Sequence, residues 1–236
     1  LLDFLRYTHS EYMYLVGDII DGWHLKKRWY WPQAHNDVVQ KILRRARHGT
    51  KVVFVAGNHD EFAREFVGLQ FGGVTVCDDI IHETANGKRM LVLHGDQFDA
   101  VMTYAKWLAH LGDKAYDIAL WINRVVNFMR TKLGLPHWSL SAWLKNKVKD
   151  AVAYIGAFEE FIAESAKHHN TDGVICGHIH HAQIRQIDDV LYCNDGDWVE
   201  SCTALVEDFD GNLSIINWIQ QRDALIGSLP IKKVAA

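Results

Sequence analysis

The chain is predicted to be an α/β protein, and three observations carry that prediction. Four short runs rich in β-branched and other apolar residues each stop at glycine or histidine beside a polar side chain. A helix-periodic segment separates the first two runs, and short strands alternate with turns from Ala182 to Trp218. In open α/β sheets, ligands gather where the carboxyl ends of strands meet, so the polar tips matter as much as the runs.

The elements follow in order. Leu1 to Leu5 has the spacing of the middle of an amphipathic helix, which leads us to expect the natural beginning upstream. Tyr12 to Val16 is a buried strand ended by Gly17-Asp18. Pro32 to His48 places Val38, Ile42 and Ala46 on one helical face and stops at Gly49. Lys51 to Ala56 is a second strand, ended by Gly57-Asn58-His59-Asp60. Met90 to Leu93 is a third, ended by His94-Gly95-Asp96, and Gly173 to Cys176 a fourth, ended by Gly177-His178-Ile179-His180. Asp210-Gly211-Asn212 is a hairpin turn within the late β-rich part.

Between Ala100 and Glu164 the period changes to that of long helices. Tyr104, Trp107, Leu108 and Leu111 share one face, as do Ala115, Ile118, Ala119 and Ile122. After a break at Leu133-Gly134-Leu135-Pro136, Leu140, Leu144, Val148, Ala151 and Ile155 mark another helix. From Val101 to Ala157, eight Lys/Arg stand against three Asp, a local +5 in a chain of net charge −4, and four of the nine tryptophans lie there. Two readings stay open: a helical subdomain with tryptophans in its core, or a basic, aromatic lid for an amphiphilic anion. In the second, Lys145, Lys147 and Lys149 would touch a membrane surface. The divisions expected are 1–99 and 166–236 as two parts of one core, with 100–165 as a helical cap.

Composition sets outer limits. The 236 residues are 49 % hydrophobic and 23 % charged, which suits a globular chain and excludes disordered tails and collagen-like repeats. The net charge argues against a general nucleic-acid binder. Cys77, Cys176, Cys193 and Cys202 form no CxxC pair and read as reduced core thiols of a cytoplasmic protein. No glycine-rich P-loop or Gly-x-Ser-x-Gly elbow is present, so kinase and serine-hydrolase chemistry drop out.

The strand tips hold the chemistry. Asp18, Asn58, His94, His178 and His180 supply a carboxylate, an amide oxygen and three imidazoles, a set suited to Mn²⁺, Fe²⁺ or Zn²⁺. A carboxylate can bridge two such ions about 3.5–4 Å apart, the arrangement two-metal phosphatases use. His178 and His180 are separated by one residue, so in an extended segment both rings leave on the same side.

In content and order, Gly17-Asp18-Ile19-Ile20-Asp21, Gly57-Asn58-His59-Asp60, His94-Gly95-Asp96 and Gly177-His178-Ile179-His180 resemble the GD, GNHD, HGD and GHxH blocks of the calcineurin-like metallophosphoesterases. The segment after His94-Gly95-Asp96 and the Gly196-Asp197-Trp198 sequence are similar to the UDP-2,3-diacylglucosamine pyrophosphatase group. The resemblance implies a four-layer α/β/β/α sandwich with a helical insertion and two divalent ions, commonly Mn²⁺. It implies hydrolysis of UDP-2,3-diacylglucosamine to UMP and 2,3-diacylglucosamine 1-phosphate in lipid A assembly, in the cytoplasm or peripherally on the inner membrane. By that resemblance Asp18 bridges the ions, Asn58, His94 and His178 complete one of them, and His180 serves the other. His59 lies beside phosphorus, stabilising charge or protonating the leaving oxygen. Asp60 either orients His59 or caps a helix over Glu61 to Phe66; Asp21 and Asp96 are supporting groups or turn residues.

Two departures accompany the resemblance. The family's first block, Asp-x-His, is absent, because no Asp here has a His two positions later; it is expected upstream of Leu1. His59 stands where that pyrophosphatase group commonly carries Arg, which favours another phosphodiester or phosphomonoester. A fold kept as a binding scaffold with a metal-poor site is the third reading. His168, His169 and His181 read as a polar loop run, and His24, His35 and His137 lack partners at ligand spacing. Lys26, Lys27 and Arg28, with Trp29, Tyr30 and Trp31, would hold phosphates and stack on uracil, or form a solvated loop.

Overall fold

The computed structural model describes residues 1–98 and 141–228, with side chains described over 1–98 and 155–224. The chain divides into two compact units, Leu1–Asp96 with Ile162–Ala236, and Gln97–Phe161. The helices expected before residue 141, and the side chains of Lys145, Lys147 and Lys149, lie outside the described residues. Helix α4 (Ser141–His168) runs unbroken past the boundary expected at 165.

The first unit is built on two sheets. Short helix α1 (Leu2–Tyr7) precedes β1 (Tyr12–Val16), and helices α2 (Gly22–Lys27) and α3 (Gln33–Arg47) lead into β2 (Lys51–Val55). Strands β3 (Gln70–Phe71) and β4 (Val74–Cys77) complete a sheet of order β1-β2-β4-β3, parallel except for β3. Strands β5 (Asp79–Glu83), β6 (Arg89–Leu93), β7 (Gly173–Cys176), β8 (Gln183–Ile187) and β9 (Val190–Asn194) form the second sheet. Its order is β5-β6-β7-β9-β8, with β6, β7 and β9 parallel. Strands β10 (Thr203–Glu207) and β11 (Leu213–Asn217) make the expected hairpin, and helix α5 (Trp218–Ser228) follows. In the hairpin turn, Asp208 Oδ1 accepts the amides of Asp210 and Asn212, each at 2.9 Å.

Strand alternation explains the layering. On β2, Val52 and Phe54 face a core shared with Leu5 of α1 and Ile42 of α3, while Val53 and Val55 face a core shared with Met90, Val92 and Ile175 of the second sheet. A helical layer therefore covers one face of the first sheet and the second sheet covers the other. Leu91, Val174 and Tyr192 on the opposite face of the second sheet are also buried. Strands covered on both faces read as continuous apolar runs, which is why four of them were legible. The short strands β3 to β5 and helices α2 and α5 carried no comparable pattern.

Candidate active site

The ends of β1, β2, β6 and β7 converge. Gly17 N donates to Val55 O at 2.9 Å and Gly177 N to His94 O at 3.2 Å, so the strand-end loops remain in register just beyond the ladders. Gly17 has φ +69°, and a Cβ there would lie 2.2 Å from His94 Cδ2; at Gly57 a Cβ would lie 2.5 Å from Asp18 Oδ1. Both positions admit backbone where a side chain would displace a polar group. Gly17→Ala is expected to cost about 2–4 kcal/mol, since strain at positive φ adds to displacement of a buried ring. Urea unfolding of the full chain checks this; a loss below about 0.5 kcal/mol would contradict the packing described.

Asp18, His178 and His180 themselves adopt the left-handed backbone, with φ of +54°, +67° and +54°. Such conformations in non-glycine residues are costly and concentrate at functional sites. Asp18 Oδ1 accepts the amide of His59 at 2.9 Å, and its Oδ2 lies 3.5 Å from His94 Nε2. The His94 ring stands edge-on to that of His178, centroids 5.1 Å apart. Behind it, His94 Nδ1 lies 3.2 Å from Asp96 Oδ1, and Arg64 Nη2 donates to both Asp96 oxygens at 2.8 and 2.7 Å. The result is a chain Asp18–His94–Asp96–Arg64 that starts at the strand tips and has its buried middle in His94 and Asp96.

Electrostatics follow from that chain. Burial alone would lower the His94 pKa, but Asp18 and Asp96 outweigh it and push it up to about 9. Burial raises the Asp18 carboxyl, yet His94 and the His59 amide bring it below the ordinary carboxylate value. Asp195 sits beside the β7 tip, with Oδ1 3.2 Å from where a Cβ on Gly177 would be. Burial pushes Asp195 up to about 7, against the pull of His94. A histidine whose pKa rises on folding stabilises the fold below its unfolded value and loses that contribution as pH climbs through the folded one. Chelated protein is therefore expected to lose stability between pH about 6.5 and about 9 from this group, less so in His94→Gln. Urea midpoints across that range test the point, and equal profiles for the two proteins would refute it.

The structure brings Asp18, His94 and His178 together, and Asn58 directly precedes the His59 amide that Asp18 accepts. The extended backbone expected for His178 and His180 is not what the segment adopts. Both residues lie in left-handed turns, and His180 is exposed while His178 is half-buried. Among the described residues, no group of three or more His, Cys, Asp or Glu side chains is gathered at metal-binding spacing. The donor set nonetheless fits a divalent ion: Asn58 Oδ1 is buried with no hydrogen-bond partner, one residue from the amide that binds Asp18. A buried amide oxygen without a donor is costly unless something else coordinates it.

Asp60 takes neither part proposed for it. It does not reach the His59 ring, and its side chain makes no cap to the 3-10 turn Glu61–Phe66. Instead, fully buried, it accepts the amides of Gly57 at 2.6 Å, Ile19 at 2.8 Å and Ile20 at 3.3 Å, tying the loop after β1 to the loop after β2. The imidazole partner is Asp21, whose Oδ1 lies 3.2 Å from His59 Nδ1 and also caps α2 through the His24 amide at 2.9 Å. Trp23 packs against His59, centroids 4.3 Å apart and planes inclined by 31°.

The remaining candidates fall elsewhere. Trp29 and Tyr30 are exposed, and Trp31 packs edge-on to His35. His169 bonds the carbonyl of Ser165, His168 lies 3.7 Å from Glu164, and His137 lies outside the described residues. Trp198 of Gly196-Asp197-Trp198 packs against Phe4, which also meets Trp218. Arg64 had no sequence signal, because its partner Asp96 is 32 residues away. Asp195 did have one: Val190 to Cys193 is a fifth apolar run ended by Asn194-Asp195-Gly196.

Strand ends from the two sheets thus gather a carboxylate and imidazoles at one place. The chain belongs to the calcineurin-like phosphoesterase family, whose model matches residues 1–182. No curated protein matches it. Among solved structures it is similar to a single-mutant Vps29 from Entamoeba histolytica, at 13 % identity and TM-score 0.39, covering 91 % of this chain and 78 % of that one. An archaeal phosphodiesterase is similar at 14 % identity and TM-score 0.33, covering 75 % of each chain. Vps29 from Cryptosporidium parvum is similar at 11 % identity and TM-score 0.36, covering 87 % and 95 %.

Proposed function

We propose that the chain hydrolyses a phosphoric anhydride or diester by direct attack of water, with Asp18, Asn58, His94 and His178 holding a divalent ion. The observation that carries this reading is the orphaned, buried Asn58 oxygen, next in the chain to the His59 amide that Asp18 accepts, with Asp18 in turn facing His94 from a left-handed backbone position. Asp18 and His180 are the donors left for a second ion, and Mn²⁺ suits the mixed oxygen and nitrogen set, with Fe²⁺ or Zn²⁺ as alternatives. Such ions, when bound, lower the pKa of water and neutralise phosphoryl oxygens.

The chain's own residues supply the rest. Asp96, braced by Arg64, orients His94; Asp60 holds the two loops that carry Asp18 and Asn58. His59, held at Nδ1 by Asp21, offers Nε2 to the leaving oxygen. Water oxygen bonds to phosphorus and gives up a proton to solvent, the bridging P–O bond breaks, and its electron pair leaves on the oxygen that accepts the His59 proton.

The substrate we propose is UDP-2,3-diacylglucosamine, cleaved to UMP and 2,3-diacylglucosamine 1-phosphate in lipid A biosynthesis. The likeness of the motif blocks and of the basic, tryptophan-rich segment 101–157 supports it. In the described residues no helix is long and apolar enough to cross a membrane. Segment 101–157 would place the protein peripherally on the cytoplasmic face of the inner membrane, and neutralising Lys145, Lys147 and Lys149 is expected to reduce binding to anionic liposomes. A second reading, another phosphodiester or phosphomonoester, is favoured by His59, which the structure equips with a carboxylate partner. Release of UMP from the lipid under Mn²⁺, set against hydrolysis of an aryl phosphodiester, separates the two. Unchanged hydrolysis in Asn58→Ala and His94→Ala would overturn both.

A further inference from the structure

We infer that Trp23 is a positioning residue for the reaction, setting the plane of the His59 imidazole so that Nε2 meets the leaving oxygen. The inference rests on the acid role proposed for His59. Three contacts reach His59 from one short turn at the start of α2. Gly22 N donates to His59 O at 2.9 Å, Asp21 Oδ1 lies 3.2 Å from Nδ1, and the Trp23 ring packs against the imidazole with centroids 4.3 Å apart and planes inclined by 31°.

These contacts do different things. The backbone bond places the residue but not the ring. The Asp21 contact fixes one ring atom, yet it joins two exposed groups and leaves the ring free to swing about that axis. Packing against a rigid bicyclic ring system limits that freedom, because rotation one way forfeits contact and the other way drives the ring into the indole. Asp21 is itself held by capping α2, and Trp23 is on the first turn of that helix, so both restraints move as one body. Trp23 remains 45 % exposed, so it can be replaced without opening the core.

Proton transfer to a leaving oxygen depends steeply on geometry and matters most for poor leaving groups. The test therefore compares a p-nitrophenyl ester and a hexyl ester of UMP, using the full chain loaded with Mn²⁺. In Trp23→Ala, kcat on the hexyl ester is expected to fall about thirtyfold or more, with kcat on the nitrophenyl ester and both KM values within about threefold. Trp23→Phe is expected to restore most of the loss, and Trp23→Leu little of it. A second readout needs no activity: in metal-free protein the His59 ring protons are expected upfield from the indole ring current, and to move downfield in Trp23→Leu.

Equal loss on both esters, a change confined to KM, full rescue by leucine, or unmoved His59 resonances would each overturn the role of Trp23. His59→Ala separates this failure from that of the parent reading. If it shows the same ester dependence while Trp23→Ala does not, only the inference about Trp23 falls. If it shows none, or the unaltered chain cleaves neither ester, the acid role of His59 falls and takes that of Trp23 with it.

Discussion

Asp18→Ala is expected to lower kcat/KM for an aryl phosphodiester by about a thousandfold, with loss of bound Mn²⁺. Asp18 is the residue on which both proposed ions depend, and it also faces His94 across 3.5 Å and holds the His59 amide. Asp18→Asn distinguishes these tasks. The amide keeps an oxygen for the His59 N–H but removes the charge, so a nearly equal loss would assign the effect to the carboxylate's charge. The fold is expected to survive either change, since the Asp18 side chain is partly exposed and His94 keeps its contact with Asp96. Steady-state kinetics together with metal content by mass spectrometry check the result. Activity within tenfold of the unaltered chain would exclude Asp18 from the chemistry.

Asp60→Ala is expected to act on stability first, by about 3–5 kcal/mol. The side chain is fully buried, and its removal strands the three amides of Gly57, Ile19 and Ile20 without an acceptor. Those amides belong to the two loops that present Asp18 and Asn58, so hydrolysis should fail with stability. Asp60→Asn keeps acceptor oxygen on one side only and is expected to fall between. Urea unfolding gives the measure, with the m-value unchanged if the native state merely loses these bonds. A loss under about 1 kcal/mol would show that water or another group satisfies the amides.

Both predictions rest on partners that no local pattern announces. Asp60 precedes a helical turn, so a reading confined to neighbouring residues offers it a cap; its true partners, Ile19 and Ile20, lie about forty residues back. Asp21 has the same ambiguity and resolves both ways at once, capping α2 and holding His59. His178 and His180 show the opposite case. Their spacing implies a shared side only for extended backbone, and both residues are left-handed instead.

From the sequence alone come the α/β class, the positions of β1, β2, β6, β7 and α3, and the family, because each is written locally. Strands buried on both faces are apolar throughout, a helix repeats every three to four residues, and strand ends carry short polar blocks. Tertiary structure alone decided that Arg64 steadies Asp96 behind His94, that Asp60 binds two loops, and that Trp23 lies on His59. Those pairings join residues far apart in the chain, and what brings them together is strand register and the handedness of the turns between. A one-residue shift or a change in the sign of φ redirects a side chain without altering the pattern that a sequence displays.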